Sequence, residues 1–318
     1  MPLDPQAQDY IEAARMAALP PLWDLTLEQG RIRSAKALTY VGAREKVEHV
    51  NDLVIPGPGG PLRARHYVPR TDGPLPTVVF FHGGGWVLND LDTHDHVCRA
   101  LANLSGCAFL AVEYRLAPEH KFPAGVDDAW AALQWAAENC ASLGADPSRL
   151  AAAGDSSGAT LAAVTALRAR RDKTLSLACQ VLIYPATDHW TAETQSYRDN
   201  GRDYLLTRNL MRWFWEKYLP AGVSLDNPEI CPLRAPNLRG MPPTLVVTAE
   251  YDPLRDEGEA YGRRLQESGA PTVVTRYEGM LHGFLMHFPI MDQGRVCLRQ
   301  IADFLGTHLS ENSKQGNL

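Results

Sequence analysis

Ser156 stands at the centre of Gly154-Asp155-Ser156-Ser157-Gly158, a G-x-S-x-G pattern. A serine hydroxyl is a weak nucleophile, and the chemistry open to it is attack on an acyl carbon once a base removes its proton. The pattern supplies a geometry for that attack. A sharp strand-to-helix turn lifts the serine out of the chain, and the flanking glycines remove Cβ atoms that would collide with nearby backbone. Three fixed positions in five arise by chance, so the context carries the argument. LAAA before the motif reads as a strand, and ATLAAVTALRAR after it reads as a helix. That helix turns the positive end of its dipole toward the serine. The plainer alternative is a glycine-rich turn with a serine N-cap. Ser157 is expected to contribute its backbone rather than its hydroxyl.

Acyl transfer also needs donors for the charge that develops on the carbonyl oxygen. His82-Gly83-Gly84-Gly85-Trp86 follows the apolar run TVVFF, and glycines let backbone N–H groups approach a substrate closely. Gly83, Gly84 and Gly85, with the amide of Ser157, are the candidate oxyanion donors; which two of the three glycines act stays open. A phosphate-binding loop would need a following Lys-Ser/Thr or a GxGxxG, and neither is present.

The serine requires a base and the base an orienting carboxylate. With this kind of elbow the chain order is serine, acid, histidine. His189, His282, His287 and His308 lie beyond the elbow. His282, in EGMLHGF after the last apolar run, is placed at the sheet end where the elbow emerges. His287 and His308 are expected at the surface. Asp252 directly follows TLVVTAEY and is the expected acid. Asp256 and Glu257 fall in the first turn of the next helix, where a carboxylate suits the dipole, and Glu250 is expected on the opposite face.

Positioning these residues calls for alternating strands and helices. Candidate strands span 46–55, 62–68, 77–81, 108–114, 150–154, 179–184, 244–249 and 272–277; candidate helices span 93–104, 126–143, 156–169, 256–268 and 294–308. Continuous apolar runs suit strands buried on both faces, and the alternation predicts a mostly parallel α/β sheet with helices on both sides. PGPGG between the first two strands predicts an antiparallel hairpin at one edge. Residues 1–45 read as amphipathic helices, with Asp4 as N-cap and Pro5 at the first helical position. No strand is expected between Ala186 and Arg239, but an aromatic helix is, over Leu206–Leu219. Segments 1–45 and 186–239 are read together as a helical cap, and 46–185 with 240–318 as the catalytic unit. Within the cap, Leu205, Leu206, Trp213, Phe214 and Trp215, with Phe284, are expected to line an apolar pocket. The end of the chain, SENSKQGNL, reads as frayed.

Composition narrows the class. The 318 residues are 45% hydrophobic and 21% charged, ordinary globular usage. The net charge of −6 without a basic face gives no support for nucleic-acid binding. Six singly spaced cysteines, without CxxC or metal-ligand spacing, read as buried thiols of a reducing compartment. The N-terminus lacks a signal-peptide pattern, and no run reaches the ~18 apolar residues of a membrane span. A cytoplasmic location and no membrane insertion are the expectations.

Four segments together, HGGGW, YRLAPEHKFPA (Tyr114–Ala124), GDSSG and DPLRDEG with the later HGF, resemble the hormone-sensitive-lipase-like branch of the α/β-hydrolases, in particular its bacterial esterases. The resemblance covers nearly the whole chain. It implies an eight-stranded sheet under a cap, and hydrolysis of short- to medium-chain carboxylic esters without a cofactor. It also implies Ser156, Asp252 and His282 as the triad, and a homodimer through the last strand. Ser157 stands where such elbows more often carry alanine. An amidase or lactonase on the same triad, and a ligand receptor of the same fold, are the rival readings.

Overall fold

The computed structural model describes residues 2–38, 44–70, 72–173 and 175–310. Its elements run α1 (Pro5–Met16), α2 (Leu27–Leu38), β1 (His49–Ile55), β2 (Leu62–Val68), β3 (Leu75–Phe81), α3 (Leu91–Ser105), β4 (Ala108–Glu113), α4 (Ala124–Glu138), α5 (Cys140–Leu143), β5 (Ala145–Asp155), α6 (Ser157–Asp172) and β6 (Cys179–Ile183). They continue α7 (Gln195–Asn200), α8 (Arg208–Tyr218), β7 (Thr244–Tyr251), α9 (Arg255–Glu267), β8 (Thr272–Leu281) and α10 (Asp292–Leu309). The chain end read as frayed lies outside the described residues from 311 onward.

The strands form one sheet in the order β1-β2-β4-β3-β5-β6-β7-β8. β1 and β2 make the expected antiparallel hairpin at the edge, β2 is antiparallel to β4, and every later pairing is parallel. Apolar runs such as β3 are buried along their whole length because the sheet has a core on each face. Side chains alternate between the two. Val79 and Phe81 face the core built with α4, α6 and α9, whereas Val78 and Phe80 face the one built with α3 and α10.

Several boundaries move for physical reasons. β5 begins at Ala145, not at 150, because Ala145 pairs with Leu75 ahead of the main ladder. The helix expected over 126–143 is two helices, separated by Asn139 at φ −109° and ψ 22°. The helix after the elbow begins at Ser157, since Ser156 itself is at φ 54° and ψ −120°. The aromatic helix starts at Arg208, where Thr207 Oγ1 accepts the N–H of Leu210 at 3.2 Å.

No strand interrupts residues 186–239, whose helices are α7 and α8. α8 is pinned by aromatics: Trp86, at the end of HGGGW, stacks on Tyr218 at 4.3 Å and meets Trp215 at 4.5 Å. At the N-terminus Asp4 caps α1 through the Gln6 amide at 2.8 Å, as its sequence suggests. Arg31 of α2 donates to the carbonyls of Val87 and Ala117 and to both carboxylate oxygens of Glu119. All six cysteines are buried and unpaired, and burial raises the pKa of each thiol. Among the described residues no helix is long and apolar enough to cross a membrane.

Candidate active site

β5 runs straight into the elbow. Its last residue, Asp155, pairs with Ile183 of β6, and the Ser156 amide donates to the Ile183 carbonyl at 2.8 Å. Ser156 is thereby held at positive φ, a conformation that costs a non-glycine residue on the order of 1–3 kcal/mol and persists only where neighbours enforce it. The flanking glycines are required by space. A Cβ on Gly154 would lie 2.4 Å from the Gly158 carbonyl oxygen, and one on Gly158 would lie 2.0 Å from that of Phe81. The elbow is therefore packed directly against the end of β3, which leads into the glycine loop.

Ser156 Oγ is 3.0 Å from His282 Nε2, and His282 Nδ1 is 2.7 Å from Asp252 Oδ2. Asp252 is fully buried just past β7, and its other oxygen accepts the Leu254 amide at 2.8 Å. An acceptor on the Nδ1 side fixes the tautomer with its proton on Nδ1, which leaves Nε2 able to take the serine proton. His282 follows β8 and packs against the Tyr184 ring at 4.7 Å. Three residues from three separate loops, 126 and 30 positions apart, thus meet at one end of the sheet.

The three loop glycines differ. The Gly83 amide donates to Asp155 Oδ1 at 2.8 Å, so its N–H is already committed. Gly83 therefore leaves the set of candidate oxyanion donors. Gly84 and Gly85 lie at φ 126° and 61° and border the cavity over Ser156. A Cβ on Gly84 would be 2.3 Å from the Leu88 carbonyl oxygen, and one on Gly85 would be 2.2 Å from the Phe214 ring. Among the described residues the amides of Gly84, Gly85 and Ser157 have no hydrogen-bond acceptor.

Asp155 does more than fill the motif. It is buried, also meets His94 Nε2 at 3.1 Å, and His94 Nδ1 in turn meets Thr93 Oγ1 at 2.9 Å. Burial alone would raise the Asp155 pKa, but His94 and the Gly83 amide outweigh it and leave the carboxyl below its usual range. Asn89 completes the loop support: its Nδ2 donates to the Gly83 carbonyl at 3.1 Å, and its Oδ1 accepts from Ser34 Oγ of α2 at 2.7 Å. His82 is stacked on Tyr114 at 4.5 Å, and burial, with His94 nearby, lowers its pKa to about 4. The contacts that tie Asp155 to Gly83 and His94, Asn89 to Ser34, and His82 to Tyr114 have no signal in the spacing, because they join residues far apart in the chain.

Behind the acid, α7 and α9 hold the connecting loops. Asn200 Nδ2 donates to the Glu250 carbonyl at 3.0 Å, and Ser196 Oγ donates to the Pro253 carbonyl at 2.6 Å. Glu257 was expected simply to face the helix dipole. Instead it is fully buried and accepts the amides of Thr187 at 2.9 Å and Asp188 at 3.2 Å, and its burial raises the carboxyl pKa well above the usual value.

A cavity of about 200 Å³ opens over Ser156 and His282. Leu205, Leu206 and Phe214 border it, together with Leu210 and Met211. Phe284 does not: it is fully buried, packed on Tyr277 at 4.9 Å in the core, because the turn after Gly283 rotates it inward. Trp215 and Trp213 also stand outside the cavity wall, Trp215 being buried against Trp86. His287, expected at the surface, borders the cavity, whereas His308 lies against Phe304 in α10. Among the described residues no group of three or more His, Cys, Asp or Glu is placed to hold a metal ion.

Comparison with known proteins agrees with this fold. A family profile described as the alpha/beta hydrolase fold matches residues 78–286. The chain is similar to the carboxylic ester hydrolase LipN of Mycobacterium tuberculosis, at 43% identity over 97% of this chain and 84% of that protein. It is also similar to an arylesterase of Saccharolobus solfataricus, at 38% identity over 90% of this chain and 93% of that protein. Among solved structures, a hyperthermophilic esterase from Pyrobaculum calidifontis is 43% identical and superposes with a TM-score of 0.91, over 96% of this chain and 98% of that one.

Proposed function

The chain belongs to the hormone-sensitive-lipase-like branch of the alpha/beta-hydrolase family, and from that membership we propose that it is a carboxylester hydrolase acting through Ser156, His282 and Asp252. The observation that carries the proposal is the unbroken hydrogen-bonded chain from Asp252 through His282 to Ser156, opening onto an apolar-walled cavity.

In this reading His282 Nε2 takes the Ser156 proton as Oγ attacks the ester carbonyl carbon. The oxyanion accepts from the amides of Gly84, Gly85 and Ser157; losing one such donor typically costs about 3–4 kcal/mol of transition-state stabilisation. Asp252 keeps the imidazole in the Nδ1–H tautomer and stabilises the imidazolium. His282 then protonates the departing alkoxide, and the acyl group remains on Ser156. Water, deprotonated by the same histidine, attacks the acyl-enzyme and releases the carboxylic acid. No step calls on a metal or an organic cofactor.

The cavity is smaller than the ~300–1,000 Å³ of sites for drug-sized ligands, which favours short- to medium-chain esters. Leu206 and Phe214 form part of its wall, and segments 1–45 and 186–239 act as the cap over a catalytic unit of 46–185 and 240–318. The same proposal includes a cytoplasmic location, supported by six unpaired buried cysteines. It also includes a homodimer through β8, which has a sheet neighbour on one side only; light scattering tests that part. A panel of p-nitrophenyl esters, matching amides and lactones, run with wild type and S156A, tests the reaction. Hydrolysis of short acyl esters, abolished in S156A, is expected; turnover confined to amides or lactones, or intact in S156A, overturns it.

A further inference from the structure

We propose that His287 is a substrate-recognising residue of the catalytic cavity, one that hydrogen-bonds an uncharged polar oxygen carried by the ester. The inference rests on the ester-hydrolase reading above and specifies which esters that site takes.

His287 closes the 3-10 turn Phe284–His287, five residues beyond His282, and borders the same cavity as Ser156. One face of its ring is covered by Tyr10 of α1, with centroids 4.3 Å apart. Among the described residues its ring nitrogens have no hydrogen-bond partner, and neither nitrogen is sealed from access. Burial, with His96 nearby, lowers its pKa to about 4, so the ring is neutral at pH 7 and offers one donor and one acceptor.

The surroundings make this unusual. Elsewhere in the wall Asn89 holds the Gly83 carbonyl and Ser34, and His94 holds Asp155 and Thr93, whereas Trp86 Nε1, Tyr184 Oη and Ser157 Oγ also lack partners among the described residues but are sealed from access. The remaining wall is largely apolar, with Leu22, Leu38, Leu205 and Leu206 among its members. An imidazole in such a place loses hydrogen bonding unless something in the cavity supplies it. An ester bearing an ether, hydroxyl or carbonyl oxygen supplies it, and its all-carbon counterpart does not. The neutral ring brings no countercharge to a charged substituent, and one hydrogen bond does not offset the desolvation of a full charge. The class indicated is therefore small neutral esters that carry one polar oxygen besides those of the ester group.

The test compares esters that differ by one CH2→O replacement: butyl acetate with 2-methoxyethyl acetate for the alcohol half, and ethyl valerate with ethyl 3-methoxypropionate for the acyl half. For wild type, kcat/KM for the oxygen-bearing member, relative to its partner, is expected to exceed the ratio for H287F in one of the two pairs by about 3- to 10-fold, the range of one neutral hydrogen bond. H287F keeps a ring against Tyr10, and H287Q, which restores a donor and an acceptor, is expected to recover part of the ratio. Equal ratios in wild type and H287F for both pairs overturn the proposal. If H287F does not fold, H287M replaces it. A wild type that hydrolyses none of the four esters counts against the ester-hydrolase reading itself.

Discussion

Two histidine–carboxylate pairs flank Ser156, and they do different work. Asp252 holds His282 from β7 and β8, and the far nitrogen of that imidazole reaches the serine oxygen. Asp155 holds His94 from β5 and α3, but the far nitrogen of that ring is occupied by Thr93, and the carboxylate also binds the Gly83 amide. The same two functional groups thus give a proton shuttle on one side and a brace for the glycine loop on the other. What separates them is what the second ring nitrogen meets. A histidine becomes a base when its outer nitrogen faces a reacting atom; with both nitrogens satisfied by the protein it becomes scaffolding.

This contrast can be tested by treating both sides alike. The largest effect is expected from removing the shuttle itself: H282A or S156A should lower kcat by about 10⁶-fold with the fold intact by circular dichroism, since the triad acts as a unit. D252N leaves shape unchanged but favours the wrong tautomer, and about 10⁴-fold loss in kcat is expected. The same change on the other side, D155N, should cost only about tenfold, through a loosened glycine loop, and should leave the pH dependence of kcat/KM in place. Losses of equal size in D252N and D155N would collapse the distinction. G83A belongs with D155N, since its Cβ would fall 2.4 Å from the Asp155 carboxylate; weakened binding of a phosphonate inhibitor is the readout.

A separate effect concerns acid stability. The pKa values of His82, and of His66 in β2, are lowered to about 4 by burial, against about 6.5 in an unfolded chain. As pH falls from about 6.5 toward 4, the unfolded chain takes up protons that the folded one refuses. Stability is therefore full above that window and is lost through it, by roughly 2 kcal/mol per histidine between pH 7 and pH 5. Urea midpoints at those two pH values measure it, and a smaller difference in H66F is the expected control.

The shuttle was largely legible in the sequence, and the brace was not. Ser156, Asp252 and His282 each follow an apolar strand run, and parallel strands deliver their C-terminal ends to one place, so local pattern and chain order locate all three. Asp155 lies inside the same motif, but its partners are fixed by how β3 packs on the elbow, and no periodicity reports that. The fate of Gly83 follows from the same contact. Phe284 and His287 illustrate a second limit. Beyond Gly283 the chain turns rather than continuing β8, so alternation gives no guide to which side chain faces the cavity. Glu257 has the position of a first-turn carboxylate, yet it holds two amides of the chain leaving β6, a contact made across 70 residues.

The buried cysteines carry a practical consequence. With every native thiol shielded and its thiolate disfavoured, a maleimide dye has little to attack on the folded surface. A single cysteine introduced at the exposed Met16 or Leu19 would then be the preferred labelling position. Fluorescence from that one site could report in real time how the N-terminal helices respond when an ester enters or its products leave.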